Sequence, residues 1–163
     1  MNALGIPEDY AGARGLAPQP EATDLVTIGA TPEGRDIQLA PEAARAWARM
    51  RDAASKSGIE IIALSGFRSV ERQRTLIEAK LSAGQEIEEV LRTVAAPGFS
   101  EHHTGRAVDV AAAGQPTLTE AFAETPAFEW LSRNAGSFGF RMSYPRGNPQ
   151  GFIYEPWHWF FKG

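Results

Sequence analysis

Cysteine is absent from the 163-residue chain. That excludes disulfide staples and thiolate metal sites, so any bound metal must be held by histidine and carboxylate. Histidine is scarce too, with three in all. Basic charge is not in excess: the net charge is −4 and the isoelectric point about 5.4. Nothing here has the electrostatic footprint of a DNA- or RNA-binding protein. No apolar run approaches the ~20 residues that a membrane span needs. Repeats and low-complexity tracts are missing. The opening "MNALGIPEDYAGARGLAPQP" has neither a basic n-region nor a continuous apolar h-region, so it does not read as a secretion signal.

What is present is ordinary globular composition, 43% hydrophobic and 22% charged, in a length that suits one domain with a real core. Residues 1–24 are rich in Ala, Gly and Pro without periodicity, which predicts a loosely packed arm before a domain spanning 25–163. "LVTIG" and "RDIQLA" predict two short strands around the turn "ATPEG". Pro41 suits the first turn of a helix that Gly58 closes. "IEIIALSG" predicts a strand buried on both faces. Two helical segments separated by Gly84 follow, then the strand "RAVDVAA" and the amphipathic helix "TPAFEWLSRNAGSFG". "FRMSYP" and "FIYEPWHWFF" predict a closing antiparallel pair around the loop "RGNPQG". The class is α+β.

All three histidines fall in two segments, "SEHHTGRAVDV" and "YEPWHWFFKG". In the strand beginning near Arg106, Ala107, Asp109 and Ala111 share one face, and Val108 and Val110 the other. Asp109 between two small residues leaves room for an ion; the same residues also read as a capping or salt-bridging Asp beside surface histidines. Pro156 biases Glu155 away from helix, which separates "EPWHW" from the helical H-E-x-x-H zinc proteases. In a flat strand Glu155 and His158 would point apart, so both can serve one site only if the chain bends near Pro156. Together the segments supply His, Asp, His and a spare Glu, an inventory that fits a catalytic zinc with an open position for water. Two imidazoles and a carboxylate suit zinc better than magnesium or calcium. Arg68, in "SGFRSVERQ", sits at a strand-to-helix junction, where it could grip a carboxylate or steady an oxyanion, or pair with Glu71 at the surface. Ser69 could cap the following helix.

These three segments, in this order, resemble the VanY-type D-alanyl-D-alanine carboxypeptidases and their LdcB-like L,D-carboxypeptidase relatives. The pattern is S-G-Y/F-R-S, then S-x-H-x-x-G-x-A-x-D, then E-P-W-H, matched by Ser65 to Ser69, Ser100 to Asp109, and Glu155 to His158. The resemblance runs from about Leu39 to Gly163. It implies a single-domain Hedgehog/VanY-like zinc peptidase fold, a small antiparallel sheet flanked by helices. It implies one zinc ion on His102, Asp109 and His158, with Glu155 as general base and Arg68 polarising the scissile carbonyl or holding the substrate carboxylate. Ser100, Gln73 and Tyr144 match polar positions of the substrate groove. His103 is expected to face outward or line the mouth, and Trp157 and Trp159 to pack beneath the site. The implied substrates are peptidoglycan stem peptides, and the implied location is the cell envelope or exterior. Nothing in the pattern demands more than a monomer. Two other activities fit the same pattern: an L-alanyl-D-glutamate endopeptidase, and a zinc-binding module without catalysis, like the amino-terminal Hedgehog signalling domain.

Overall fold

The computed structural model of the protein describes residues 2–163. A short helix α1 (Tyr10–Arg14) precedes an antiparallel hairpin of β1 (Val26–Ala30) and β2 (Asp36–Leu39), bulged between Thr27 and Gly29. Helix α2 (Pro41–Lys56) then leads into β3 (Ile61–Ser65). Two helices follow, α3 (Val70–Ser82) and α4 (Ile87–Thr93), and then strand β4 (Ala107–Ala112). Helix α5 (Pro126–Asn134) and strands β5 (Phe140–Met142) and β6 (His158–Phe161) complete the chain. The four later strands form one antiparallel sheet in the order β3-β4-β6-β5.

Pro41 sits in the first turn of α2, where its missing N–H would have had no partner in any case. Ala43, Ala46, Trp47, Met50 and Ala54 recur at helical spacing and turn one face of α2 into the core. There they meet Leu39, Ile61, Val108, Val110, Leu131, Phe140 and Trp159. Burying a side chain of this size contributes about 1.5–3 kcal/mol. Val108 and Val110 of β4 belong to this core, whereas Ala107, Asp109 and Ala111, also buried, lie on the opposite face. The alternation expected from the sequence is therefore what separates core from site.

Three expectations need correction. The N-terminal arm is not loose throughout: Leu4, Ile6 and Tyr10 are buried with Ile77, Val90, Leu91 and Ala96 in a second apolar cluster. Scattered apolar residues without helical or strand period still fill the groove beside α3 and α4, and Ala96 N–H donates to the Tyr10 hydroxyl at 3.1 Å. Strand β3 is an edge strand rather than a doubly buried one, and its Ile62 is 38% exposed. Strands β5 and β6 do pair, Phe140 opposite Phe161 and Met142 opposite Trp159, but their connection runs from Ser143 to Trp157, well beyond the expected loop. Glu155 and Pro156 belong to that connection because the chain turns there.

Candidate metal centre and active site

The site begins with a tight 3-10 turn, Glu101–Thr104, between the helical half of the molecule and β4. Ser100 Oγ accepts from His102 N–H at 3.2 Å and so caps the turn. Gly105 ends it at φ 70°, and a Cβ there would lie 2.8 Å from the backbone nitrogen of Ala40. Only glycine meets both conditions. The main chain of His102 accepts from Arg68 N–H at 3.0 Å, which ties the turn to the loop after β3. Its ring is aimed by the Gly66 carbonyl, 2.7 Å from Nδ1. A carbonyl only accepts, so Nδ1 carries the proton and Nε2 presents a lone pair.

That lone pair faces Asp109 Oδ1 at 3.3 Å. His158 Nδ1 lies 3.3 Å from the same oxygen. The ligand-capable atoms of His102, Asp109 and His158 all fall within 4.8 Å of one another, and all three residues are buried. His158 Nε2 donates to Glu101 Oε1 at 2.8 Å, which leaves its Nδ1 free to present a lone pair as well. Asp109 Oδ1 is buried without a hydrogen-bond partner. Two imidazole lone pairs and a carboxylate oxygen turned toward one point repel each other unless a cation sits between them. This donor set fits a nitrogen- and oxygen-ligated zinc. Burial lowers His102 and keeps it neutral. Burial acts the same way on His158, but where no cation intervenes the neighbouring Asp109 and Glu101 carboxylates outweigh it and push His158 up to about 10. A proton thus competes with a metal for the same space. Burial would raise Asp109, yet His102 and His158 hold it well below the usual carboxylate range.

The bend expected near Pro156 is present. A turn at Pro156 and Trp157 brings His158 N–H to the Glu155 carbonyl at 3.2 Å. Trp159 Nε1 donates to the Pro156 carbonyl, and Val110 N–H to the Trp157 carbonyl, so both sides of the turn are pinned. Glu155 Oε1 consequently stands 4.0 Å from His158 Nδ1, on the ligand side of the ring. Burial, with Asp109 and Glu101 adding to it against His158 and Arg68, pushes Glu155 up to about 7.

Arg68 does not pair with Glu71, which instead approaches Arg74. Its Nη1 donates to Gln73 Oε1 at 3.0 Å, and Gln73 Nε2 donates to the Ala95 carbonyl at 2.7 Å. One end of the Gln73 amide therefore holds Arg68 while the other is anchored on Ala95. Burial lowers the Arg68 pKa while Asp109 and Glu155 favour its charge. Tyr144 lays its ring 4.8 Å from that of His158, and burial beside Glu101 and Glu155 raises its hydroxyl, keeping it a donor. Arg68, Gln73, Ser100, Tyr144, Glu155 and the three cluster residues all border one groove of about 350 Å³. Trp157 and Trp159 pack in the main core, as expected. A larger groove of about 1380 Å³, between β1, α2 and β3, lies away from the three-residue cluster.

His103 is the misplaced expectation. It is fully buried rather than outward-facing: Nδ1 donates to the Arg68 carbonyl at 2.7 Å and Nε2 accepts from Gly98 N–H at 3.1 Å. The turn is covered on its outer side by the N-terminal segment, whose Ala22 N–H donates to the His103 carbonyl. Sequence reasoning also passed over Glu101, buried beside His158 and bonded to Ser143 Oγ at 2.6 Å. A carboxylate next to the candidate ligand His102 was the available signal.

The model of the VanY family, D-alanyl-D-alanine carboxypeptidase, matches residues 36–163. The chain belongs to the VanY family. It is 39% identical over 125 residues to YodJ of Bacillus subtilis (strain 168), covering 75% of this chain and 45% of that protein. The chain thus spans less than half the length of that relative. Among solved structures it is similar to the LdcB LD-carboxypeptidase, with TM-score 0.78 and 36% identity over 88% of this chain and 70% of that one. VanYB in complex with D-alanine-D-alanine follows at TM-score 0.69 and 30% identity, over 90% and 82%. A mutant of the vancomycin resistance D,D-pentapeptidase VanY, in complex with Zn(II), matches at TM-score 0.68 and 28%, over 90% and 83%.

Proposed function

We propose that this VanY-family chain is a zinc carboxypeptidase that removes a C-terminal D-alanine from peptidoglycan stem peptides. The observation that carries the reading is the convergence of His102, Asp109 and His158 on one buried point, with the Glu155 carboxylate 4.0 Å from His158 Nδ1. Zinc held there would polarise the scissile carbonyl and acidify a water. Glu155, made a stronger base than an ordinary glutamate by its burial, would take the proton of that water and return it to the leaving amine. Arg68, its guanidinium fixed by Gln73, steadies the developing oxyanion or grips the substrate carboxylate. Ser100 shapes the turn that presents His102, and Tyr144 offers a hydroxyl to the bound peptide. Every group invoked comes from one chain, so a monomer suffices. The substrate puts its work at the cell envelope.

Hydrolysis of defined muropeptides by metal-quantified protein tests this reading. Pentapeptide and tetrapeptide stems are incubated separately, with and without chelator, and products are weighed by mass spectrometry. Chelator-sensitive loss of one alanine is the expected result, and the stem that reacts names the bond. Release of L-alanine-linked fragments would move the assignment to an endopeptidase. Bound zinc with neither stem cut would leave a non-catalytic zinc module.

A further inference from the structure

Glu101 and Glu155 both approach His158, from opposite sides of its ring. Glu155 stands on the Nδ1 side with the cluster, whereas Glu101 accepts from Nε2 at 2.8 Å on the far side. Glu101 is itself held from a third element. Ser143 Oγ donates to its Oε1 at 2.6 Å, and Arg141 Nη2 reaches its Oε2 at 3.5 Å. Arg141 in turn lies over the Phe160 ring of β6, 5.1 Å from its centroid. The turn after Ser100, the end of β5 and strand β6 thus converge on one buried carboxylate.

We infer that Glu101 is a positioning residue that fixes the His158 ring and its tautomer so that Nδ1 points at the metal. The inference rests on the zinc reading proposed above. A carboxylate accepting from the outer ring nitrogen does two things to a metal-binding histidine. It holds the proton on Nε2, and it makes Nδ1 a stronger electron donor. Glu101 differs from Glu155 in this, for its Oε1 already accepts from both His158 Nε2 and Ser143 Oγ. Ser143 and Arg141 hold the Glu101 carboxylate in that orientation, which a lone surface glutamate could not manage.

The test is zinc affinity of the full chain, measured against a chromophoric chelator for wild type, Glu101→Gln and Ser143→Ala. Nitrogen-15 NMR of the histidine rings is recorded on the zinc-bound wild type. The expected result is weakening by about 10–100-fold for Glu101→Gln, and a smaller loss for Ser143→Ala, which leaves the Glu101–His158 bond in place. The NMR should show His158 protonated at Nε2 and metal-bound through Nδ1. Folded Glu101→Gln protein with wild-type affinity would overturn the inference alone. Should that variant not fold, a wild-type spectrum showing Nδ1 protonated and Nε2 on the metal would overturn it equally. Wild-type protein that takes up no zinc would overturn this inference and the proposed function together.

Discussion

At the scale of single residues, environment divides labour between chemically identical groups. Burial outweighs the pull of His158 and lifts Glu155 to about 7, whereas burial opposed by the bonds to His158 and Ser143 leaves Glu101 below its ordinary value. Paired titratable groups driven apart in this way mark acid–base roles. Glu155→Ala should therefore keep about one zinc per chain while turnover on the reactive stem falls about 10²–10⁴-fold; metal analysis beside a rate measurement checks both halves. Asp109→Ala should lose metal and activity together, since Oδ1 faces both imidazoles. Arg68→Lys is expected to lower kcat/KM by about 10²–10³-fold, because an ammonium cannot reproduce a planar fork already docked on Gln73. His103→Ala should leave zinc stoichiometry unchanged yet destabilise the fold by about 1–3 kcal/mol, by stripping the Gly98 N–H and the Arg68 carbonyl of their partner. Denaturant titration beside metal analysis separates the two effects.

At the scale of elements, the N-terminal segment behaves as part of the helical layer. Tyr10 is its anchor: burial raises the Tyr10 pKa above 10.0, against the Ala96 N–H bond and Arg14. The fold thus favours the neutral phenol. Its contribution is complete below pH 10 and drains away as pH climbs through the raised value. Tyr10→Phe should flatten that alkaline loss in a series of denaturant titrations, while lowering stability at neutral pH by about 1–3 kcal/mol through the unpaired Ala96 N–H. This segment is also where the sequence was least legible. Leu4, Ile6 and Tyr10 follow no period, so only the groove they fill reveals their purpose. The strands and α2 were legible because alternation and helical spacing are local properties. So was the bend at Pro156, required by the need to bring Glu155 and His158 together. The burial of His103 and the Glu101–His158 bond were not, for both depend on which segments the fold lays over the turn.

At the scale of the whole molecule, the candidate ligands arrive from three places: the turn after Ser100, the middle of β4 and the start of β6. A cation held there would cross-link segments distant in sequence, so zinc should act as a stabiliser of the native state. At a free concentration of about 100 times Kd it should add roughly 2.7 kcal/mol. For a domain of this size that corresponds to a rise in thermal midpoint of roughly 5–10 °C. Scanning calorimetry with zinc and with chelator measures it, and Asp109→Ala should show no zinc-dependent shift.

Strand β4 carries one further consequence. Val108 and Val110, at its even-numbered positions, face the core, and Asp109 between them faces the site, so Asp109 and the two valines are separated by nothing more than parity. A slip of one residue against β6 would turn Asp109 into the apolar interior and set Val108 or Val110 where the carboxylate belongs. Misfolding and loss of chemistry would then be a single event. No molecule could slip β4 against β6 and still bring His102, Asp109 and His158 together, so an intact cluster doubles as a proofreading signal for that strand's registry.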